Sequence, residues 1–159
     1  MPIEIRTAST QDTDNMALLI NRIISIGGTT GYREPFDAQK IRSEFLPPNL
    51  GICCHVAVDE QGCRGFQALL WCDPEWEGDH KLPADWAVIA TYVDPDAHGQ
   101  GIGRKLFART AAAATHAGVR FIDATIRREN SGGLAYYGSM GFAEYRSTDE
   151  AVSKRFAPG

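Results

Sequence analysis

The sequence predicts an α/β fold, in which a mixed central β-sheet of roughly six to seven strands packs with about four helices. Strand-like segments are short, and their apolar residues alternate or run continuously, whereas helix-like segments repeat apolar residues every three to four positions. Glycine or proline stands at most of the boundaries between these segments. At 159 residues the chain has the size of one domain, so we expect a single domain over residues 1–159.

Seven segments have the composition of strands, although the last of them is only weakly marked. They cover residues 3–7, 52–59, 63–71, 86–93, 120–127, 142–146 and 152–156. The second and third strands flank Glu60-Gln61-Gly62, a polar turn sequence that predicts a β-hairpin.

Four segments predict helices, and most have capping or terminating residues at their ends. Thr10 or Asp12 could cap the first helix, which Gly27 stops. Asp37 could cap the second helix, which Pro47 stops.

The third helix, over residues 101–117, follows a glycine-rich turn directly. Helical spacing places four of its apolar residues on one face. They are Ile102, Leu106, Ala113 and Ala117. The fourth helix is short and covers about residues 131–140.

Charge and composition disfavour several classes of protein. A net charge of −4 argues against a nucleic-acid partner, because a phosphate backbone selects basic surfaces. No apolar run approaches the ~20 residues of a membrane span, and residues 1–6 lack a signal-peptide pattern. We therefore expect a cytoplasmic protein without a membrane partner. The four cysteines form no C-x-x-C pair, so we expect no metal site.

The stretch from Val93 to Leu106 carries the strongest functional signal. An apolar strand ends at a proline, Gly99, Gly101 and Gly103 alternate, and a helix follows directly. Glycines allow a ligand to approach the backbone closely, and the free amides at a helix N-terminus attract anions. The turn therefore predicts a phosphate site formed by the amides of residues 100–104.

Two other phosphate-binding motifs fit the turn less well. A P-loop ends in Gly-Lys-Ser or Gly-Lys-Thr, which Gly103-Arg104-Lys105 does not supply. A dinucleotide fingerprint places a third small residue at the position that Arg104 occupies. The pattern x-Gly-x-Gly-Ile-Gly after a strand ending in Val-x-Pro instead resembles motif A of the Gcn5-related N-acetyltransferase (GNAT) superfamily, in which this loop grips the pyrophosphate of acetyl-CoA.

A second stretch, from Asn130 to Phe142, resembles motif B of the same superfamily. An Asn precedes a short helix, a Tyr follows, and Gly141-Phe142 begins the next strand. The resemblance is specific over residues 86–146 and implies a GNAT fold with acetyl-CoA as acyl donor. The positions that it assigns to the cofactor are Tyr92, Val93, His98, Gly99, Gln100, Gly101, Ile102, Gly103, Arg104 and Asn130.

Two of these positions have a second interpretation. His98 stands where the family usually has Arg or Gln, and it either contacts a phosphate or faces solvent. Asn130 would bind the pantetheine arm, and it is also a good helix N-cap; both roles can hold together.

Tyr137 is the residue that the resemblance assigns to chemistry. In the family, a tyrosine at this distance before Gly-Phe protonates the departing CoA thiolate, a task that suits a hydroxyl with a pKa of about 10. Adjacent helical residues point about 100° apart, so only one of Tyr136 and Tyr137 can face the sulfur. The register to Gly141 favours Tyr137, whose alternative role is that of a half-buried core residue.

The general base is not identified by the sequence. Many relatives carry a Glu on the strand before motif A, but residues 86–93 contain no carboxylate. Asp85, Glu34 and Asp123 are the candidates, and a water chain to solvent is the preferred interpretation.

The acceptor side has weaker signals. Residues 29–33 resemble the substrate-side loop of small-molecule acetyltransferases such as those acting on phosphinothricin. Thr30, Arg33 and Trp71 are the candidate substrate residues, with Arg33 placed to pair with a substrate carboxylate. The acidic residues of segment 73–79 either are simply solvated or draw a cationic amine toward the site.

Together these features predict an acetyl-CoA-dependent N-acetyltransferase that acts on a primary amine of a small molecule. The amine would attack directly, because no cysteine has an identifiable base partner. A non-catalytic module that binds or senses acyl-CoA is the alternative from another class. A different acyl donor or an alcohol acceptor also stays open, and family habit suggests a homodimer.

Overall fold

A computed structural model describes residues 2–159, so Met1, the first residue of the predicted domain, lies outside the described part. Within that range the chain forms seven strands and four α-helices. In chain order they are β1 (Glu4–Thr7), α1 (Thr13–Ile26), α2 (Ala38–Phe45), β2 (Gly51–Asp59), β3 (Gly62–Trp71), β4 (Ala87–Val93), α3 (Ile102–Ala117), β5 (Ile122–Arg127), α4 (Ser131–Ser139), β6 (Ala143–Ser147) and β7 (Ala151–Phe156).

The strands form one mixed sheet in the order β1-β2-β3-β4-β5-β7-β6, which confirms the predicted fold class. Only β4 and β5 run parallel, and every other neighbouring pair is antiparallel. Register pairs between β4 and β5 are limited to Ala87 with Ile122 and Val88 with Asp123. Beyond these pairs the two strands separate and open a wedge in the middle of the sheet.

Helices cover the two faces of the sheet. Helices α1 and α2 pack on one face, where Phe66, Ala68 and Val56 join their apolar residues in one core cluster. Helices α3 and α4 pack on the other face against Leu69 and Ile122. Both faces of the central strands are therefore buried, which explains their continuous apolar sequences.

The buried face of α3 differs from the predicted one. Ile102 and Leu106 are buried as expected, but Thr110 and Ala114 continue the face, while Ala117 is exposed. Steps of four residues from Ile102 follow one side of a helix closely, whereas Ala117 lies at the exposed end of the last turn.

The start of α1 also differs from expectation. Ser9 caps a short 3-10 turn over Thr10–Asp12, and Asp12 accepts the Ser9 backbone N–H in a capping box. Asp12 also receives two hydrogen bonds from the Arg6 guanidinium, each 2.8 Å long. The Asp12 side chain makes no hydrogen bond to cap α1, because these partners occupy it.

Candidate active site

Two cavities open where β4 and β5 separate. The first, of about 570 Å³, lies between β4, the glycine-rich turn and α4. The second, of about 460 Å³, lies beside the loop that follows α1. Five residues line both cavities and so mark where they meet: Thr29, Thr91, Tyr92, Asn130 and Tyr137.

The glycine-rich turn forms the wall of the first cavity at the start of α3. Gly99 and Gly101 have φ angles of 85° and 73°, which side chains other than glycine rarely adopt. Gly101 is the N-cap, and the hydrogen bond from Lys105 N to Gly101 O begins the helix. The amides of residues 102–104 precede that first helical bond, so they have no partner within the helix and can bind an anion.

Gly103 is required for a different reason. A Cβ atom on Gly103 would lie 2.6 Å from Cε1 of Tyr136, closer than two carbon atoms can pack. The Tyr136 hydroxyl donates a 2.7 Å hydrogen bond to the Gly103 carbonyl. Tyr136 therefore binds the backbone of the turn and fixes its distance from α4.

Ion pairs hold the segment between β4 and the turn. Asp94 is buried. Its carboxylate accepts a hydrogen bond from Arg22 of α1 at 2.7 Å and another from the Asp96 backbone amide at 2.9 Å. Arg64 of β3 lies 3.3 Å from the other Asp94 oxygen. These contacts tie the turn to one helix and one strand from distant parts of the sequence.

The structure brings most of the predicted cofactor residues together around the first cavity. Those that line it are Tyr92, Val93, His98, Gly99, Gly101, Ile102, Gly103, Arg104 and Asn130. Gln100 does not line it, because the turn directs this exposed residue away. His98 is exposed at the rim, where either of its two predicted roles is sterically open.

Tyr137 is buried at the junction of the two cavities. Its hydroxyl lies 2.7 Å from the Thr91 hydroxyl on β4. Burial raises the pKa of Tyr137 above its ordinary value, while the hydrogen bond with Thr91 opposes that rise. Tyr137 therefore remains protonated over the physiological pH range and can act as a proton donor.

A buried glutamine determines the direction of that hydrogen bond. Gln67 Nε2 donates to Thr91 Oγ1 at 2.9 Å and to the Tyr136 hydroxyl at 3.1 Å. In this orientation only Gln67 Oε1 is left without a hydrogen-bond partner. The opposite amide orientation would bury an N–H₂ group without an acceptor, and its free-energy cost would be larger. The Thr91 proton is then free to point at the Tyr137 oxygen, which leaves the proton of Tyr137 available to the cavity.

Sequence reasoning did not identify Gln67 and Thr91 as parts of the site. One signal was present, since Gln67 is a polar residue within the apolar sequence of β3. Its partners could not be read from the sequence, because they lie on β4 and α4.

Asn130 performs the capping role. Its Oδ1 accepts from the Gly133 amide at 2.9 Å, which caps α4, and its Nδ2 donates to the Thr29 carbonyl at 3.2 Å. The side chain thus joins α4 to the loop after α1. One Nδ2 hydrogen is left at the junction of the cavities.

The predicted substrate residues are not brought together. Thr30 lines the second cavity, but Arg33 and Trp71 line neither. Arg33 donates to the Thr30 and Tyr32 carbonyls of its own loop. Trp71 pairs with Ala87, the first residue of β4, whereas the wedge opens toward the other end of that strand. The acidic segment 73–79 is exposed and also lines neither cavity.

Carboxylates are scarce at both cavities. Among the residues that line them, Glu129 is the only acid, and Arg127 holds it at 2.9 Å. Glu34 and Asp85 are exposed outside both cavities. Asp123 lies on β5 next to the last β4 register pair and is buried.

The cysteines are poorly suited to covalent catalysis. All four are free thiols, and none lines either cavity. Burial raises the pKa of Cys53 and Cys72 to about 11 and that of Cys54 and Cys63 to about 12. A thiol needs a lowered pKa to act as a nucleophile at neutral pH.

The described residues contain neither a grouped set of metal ligands nor a membrane-spanning helix. In residues 2–159, no three His, Cys, Asp or Glu side chains are grouped so that they could hold a metal ion. No helix of the same range has both the length and the apolar character needed to cross a membrane.

A mixed sheet that splits beside a glycine-rich helix N-terminus defines a class of proteins that bind a phosphate-bearing ligand across the split. The profile of the acetyltransferase (GNAT) domain matches residues 51–144. The chain belongs to this family, which confirms the resemblance seen in the two motifs.

Individual relatives agree with this assignment. An uncharacterised N-acetyltransferase of Methanocaldococcus jannaschii is 31% identical over 80 residues, a match that covers 50% of this chain and 34% of that protein. The chain thus spans about a third of the length of this curated relative.

Two solved structures share the fold over nearly the whole chain. A phosphinothricin acetyltransferase from Sinorhizobium meliloti, in complex with acetyl-CoA, is similar with a TM-score of 0.79, 18% identity and coverage of 99% of this chain and 89% of that one. A ribosomal-protein-alanine N-acetyltransferase from Brucella melitensis has a TM-score of 0.79, 20% identity and coverage of 97% and 99%. At such identities the similarity shows the fold alone.

Proposed function

We propose that the protein is an acetyl-CoA-dependent N-acetyltransferase that transfers an acetyl group to a primary amine of a small molecule. The observation that carries the proposal is the position of Tyr137. It lies at the junction of a cavity that begins at a phosphate-type turn and a second cavity that an acceptor can enter. Donor and acceptor would therefore meet beside a protonated hydroxyl.

The residues of the first cavity fit acetyl-CoA. The amides of residues 102–104 would bind the pyrophosphate, and Arg104 adds a positive charge beside them. The edge of β4 at Tyr92 and Val93, which β5 leaves unpaired, would hydrogen-bond the pantetheine arm. Acetyl-CoA supplies a thioester whose carbonyl carbon an amine can attack.

The chain's own groups would then act on the protons of the reaction. Thr91 orients the Tyr137 hydroxyl, and Tyr137 donates its proton to the sulfur as the carbon–sulfur bond breaks. The amine attacks the acetyl group directly, because the four thiols have raised pKa values and lie outside both cavities.

The small-molecule acceptor rests on the size of the second cavity, about 460 Å³, which suits a compact amine. The structurally similar acetyltransferases named above act on different kinds of acceptor, so fold alone does not select one. A cytoplasmic location fits four free thiols. We also propose a homodimer, which light scattering of the purified protein would test.

Calorimetric titration with acetyl-CoA is the first test. We expect micromolar, one-to-one binding, followed by thiol release when a panel of primary amines is added. Absence of binding would contradict the proposal before any acceptor is sought. Binding without thiol release from any amine would favour the alternative, a module that senses acyl-CoA, which the shortage of carboxylates at the cavities supports.

Substitution of Tyr137 tests the proposed proton donor. Tyr137→Phe should lower kcat roughly 10²-fold or more, with little change in acetyl-CoA affinity, because the hydroxyl acts only as the thiolate leaves. Tyr136→Phe is the matched control, since its hydroxyl bonds the Gly103 carbonyl and should affect binding instead. An unchanged kcat for Tyr137→Phe would remove this residue from the mechanism, provided that chemistry limits the wild-type rate.

A further inference from the structure

One buried carboxylate on the acceptor side has no role in the mechanism described so far. Asp123 pairs in register with Val88, where β4 and β5 are last joined. Along β5 its side chain shares a face with Thr125, two residues further into the wedge. Thr125 lines the second cavity and is exposed there, whereas Asp123 is only 5% exposed.

Hydrogen bonds connect this carboxylate to the cavity. Thr125 Oγ1 donates to Asp123 Oδ2 at 3.0 Å, and the Tyr145 hydroxyl donates to Asp123 Oδ1. The Ser153 hydroxyl lies 2.9 Å from Thr125 Oγ1 and receives a hydrogen bond from Arg146 at 3.3 Å. Because the Thr125 proton is given to Asp123, Ser153 must donate to Thr125. One lone pair of the Thr125 oxygen is then left for a donor in the cavity.

We infer that Asp123 accepts, through Thr125, the proton that the acceptor amine loses during acetyl transfer. As the carbon–nitrogen bond forms, one N–H proton passes from the amine to Thr125 Oγ1, and the hydroxyl proton of Thr125 passes to Asp123 Oδ2. Tyr137 gives its own proton to the CoA sulfur. The products are the amide and the free thiol. Asp123 then returns its proton to solvent through the exposed Thr125, and Tyr137 takes a proton from water in the cavity once the products leave.

The surroundings of Asp123 suit a proton acceptor. Burial raises the pKa of Asp123, and the hydrogen bonds from Tyr145 and Thr125 and the charge of Arg146 oppose that rise. On β7, Arg155 is the register partner of Asp123, and its guanidinium stacks 4.3 Å above the Phe121 ring.

Two further titratable groups lie on the β3 and β4 side. The Cys72 thiol, whose pKa is raised, interacts with both Asp123 and the exposed Asp85. A carboxylate with a raised pKa is a stronger base than an ordinary one, and it loses this function as the pH falls and it becomes protonated.

The inference rests on the proposed function, and two small nucleophiles of similar size test it. Methylamine has the high pKa of other alkyl amines, near about 10, so the positively charged nitrogen formed on attack holds its proton and needs a base. Hydroxylamine also loses one N–H proton when it is acetylated, but its nitrogen is far less basic and gives up that proton to water more readily. The kcat/KM of each nucleophile with acetyl-CoA would be measured for the wild type and for Asp123→Asn, Thr125→Val and Thr125→Ser.

We expect Asp123→Asn and Thr125→Val to lower kcat/KM for methylamine roughly 10²-fold, with a loss below about tenfold for hydroxylamine. Thr125→Ser keeps the hydroxyl and should retain most of the activity. Asp149→Asn, in the exposed turn between β6 and β7, is the matched carboxylate control and should change neither rate. Affinity for acetyl-CoA, measured by calorimetry, should be unchanged in every variant.

Equal losses for the two nucleophiles would overturn the proposed proton transfer through Thr125 and would indicate a structural role for Asp123. Full methylamine activity in Thr125→Val would overturn it as well, and this variant changes a residue that is exposed in the second cavity. If no primary amine of the panel released thiol from acetyl-CoA with the wild-type protein, the proposed function would fail, and the proton transfer through Thr125 with it. If the wild type is active and the variants are not impaired, only the roles of Asp123 and Thr125 are contradicted, and the proposed function stands.

Discussion

At the scale of single residues, the site depends on which hydroxyl gives its proton to which oxygen. Gln67, Thr91 and Tyr137 form a chain of hydrogen bonds from 2.7 to 2.9 Å in a region where Gln67 and Tyr137 are buried. Directional hydrogen bonds in such a region hold a side chain more firmly than in water. Thr91 is therefore a positioning residue for Tyr137, the proposed proton donor.

Substitution of Thr91 should separate positioning from packing. Thr91→Val removes the hydroxyl at nearly constant volume and should lower kcat on the order of tenfold, because Tyr137 loses the partner that orients its proton. Thr91→Ser keeps the hydroxyl and should recover most of the rate. In a Tyr137→Phe background Thr91→Val should have little additional effect on kcat, and an additive loss in the double variant would contradict the coupling.

At the scale of elements, α3 and α4 are held together by the contact between Gly103 and Tyr136. The glycine has no side chain, so the tyrosine ring can lie against the first turn of α3 and hydrogen-bond its carbonyl. The amides that would bind phosphate belong to that same turn. The position of α4 thus determines the position of the proposed phosphate site.

Gly103→Ala should weaken acetyl-CoA binding more than it changes stability. The added methyl group would displace the Tyr136 ring and break its hydrogen bond, which shifts the turn; we expect about a tenfold rise in Kd by calorimetry. Gly31→Ala is a suitable control, because a Cβ atom there meets nothing within 4 Å. Equal affinities of the Gly103→Ala and wild-type proteins would show that the turn does not depend on this contact.

The pairing of Asp12 with Arg6, just before α1, gives the fold a dependence on acid. Hydrogen bonds from Arg6 lower the pKa of Asp12 below its ordinary value. A carboxylate with a lowered pKa in the folded state stabilises the fold above the unfolded pKa of about 3.9, and this stability is lost as the pH falls through the folded pKa.

Asp12→Asn should therefore destabilise the protein by about 1 kcal/mol at pH 7 and by less at pH 3. Urea unfolding of both proteins at the two pH values measures the difference. Asp14→Asn, on the exposed face of the same first turn, is the control. A difference that stays constant with pH would contradict the ionic origin of the effect.

At the scale of the whole molecule, the order of the strands creates the wedge between β4 and β5 and the two cavities beside it. Because β4 and β5 are parallel neighbours that pair in register only at Ala87 and Val88, the sheet opens beyond this point, and residues of β4 there line the two cavities. Asp94, at the end of β4, is gripped by Arg22 of α1 and Arg64 of β3. These ion pairs join α1 and β3 to the segment that leads into the glycine-rich turn.

Removal of Asp94 should affect stability and ligand binding together. Asp94→Ala leaves the largely buried Arg64 without this partner and should cost about 3 kcal/mol in the free energy of unfolding, measured by denaturant titration. Acetyl-CoA affinity should fall as well, since the turn loses its anchor. Arg22→Ala should cost less, because that side chain is 42% exposed, and a larger loss than for Asp94→Ala would contradict this order.

Local patterns were enough to predict most elements, because strand alternation, helical periodicity and glycine or proline boundaries act over a few residues. The weakly marked final strand is present, inserted between β5 and β6. The cap at Ser9 and the buried position of Thr110 were missed, because they depend on Arg6 and on the sheet beneath α3. Trp71 was placed near the substrate although the antiparallel register puts it at the far end of β4.

By itself the sequence determined the family, the turn and the register of Tyr137, since each is a spacing within one continuous stretch. Only the tertiary structure decided what surrounds that tyrosine. Gln67 bonds to Thr91 and Tyr136, and Thr91 bonds to Tyr137, so these hydrogen bonds join residues 24 to 69 positions apart. Such contacts form only when the strands have assembled into the sheet. For the same reason Asp123 is one of several acids in the sequence, but in the folded protein it is hydrogen-bonded to Thr125, which lines the second cavity.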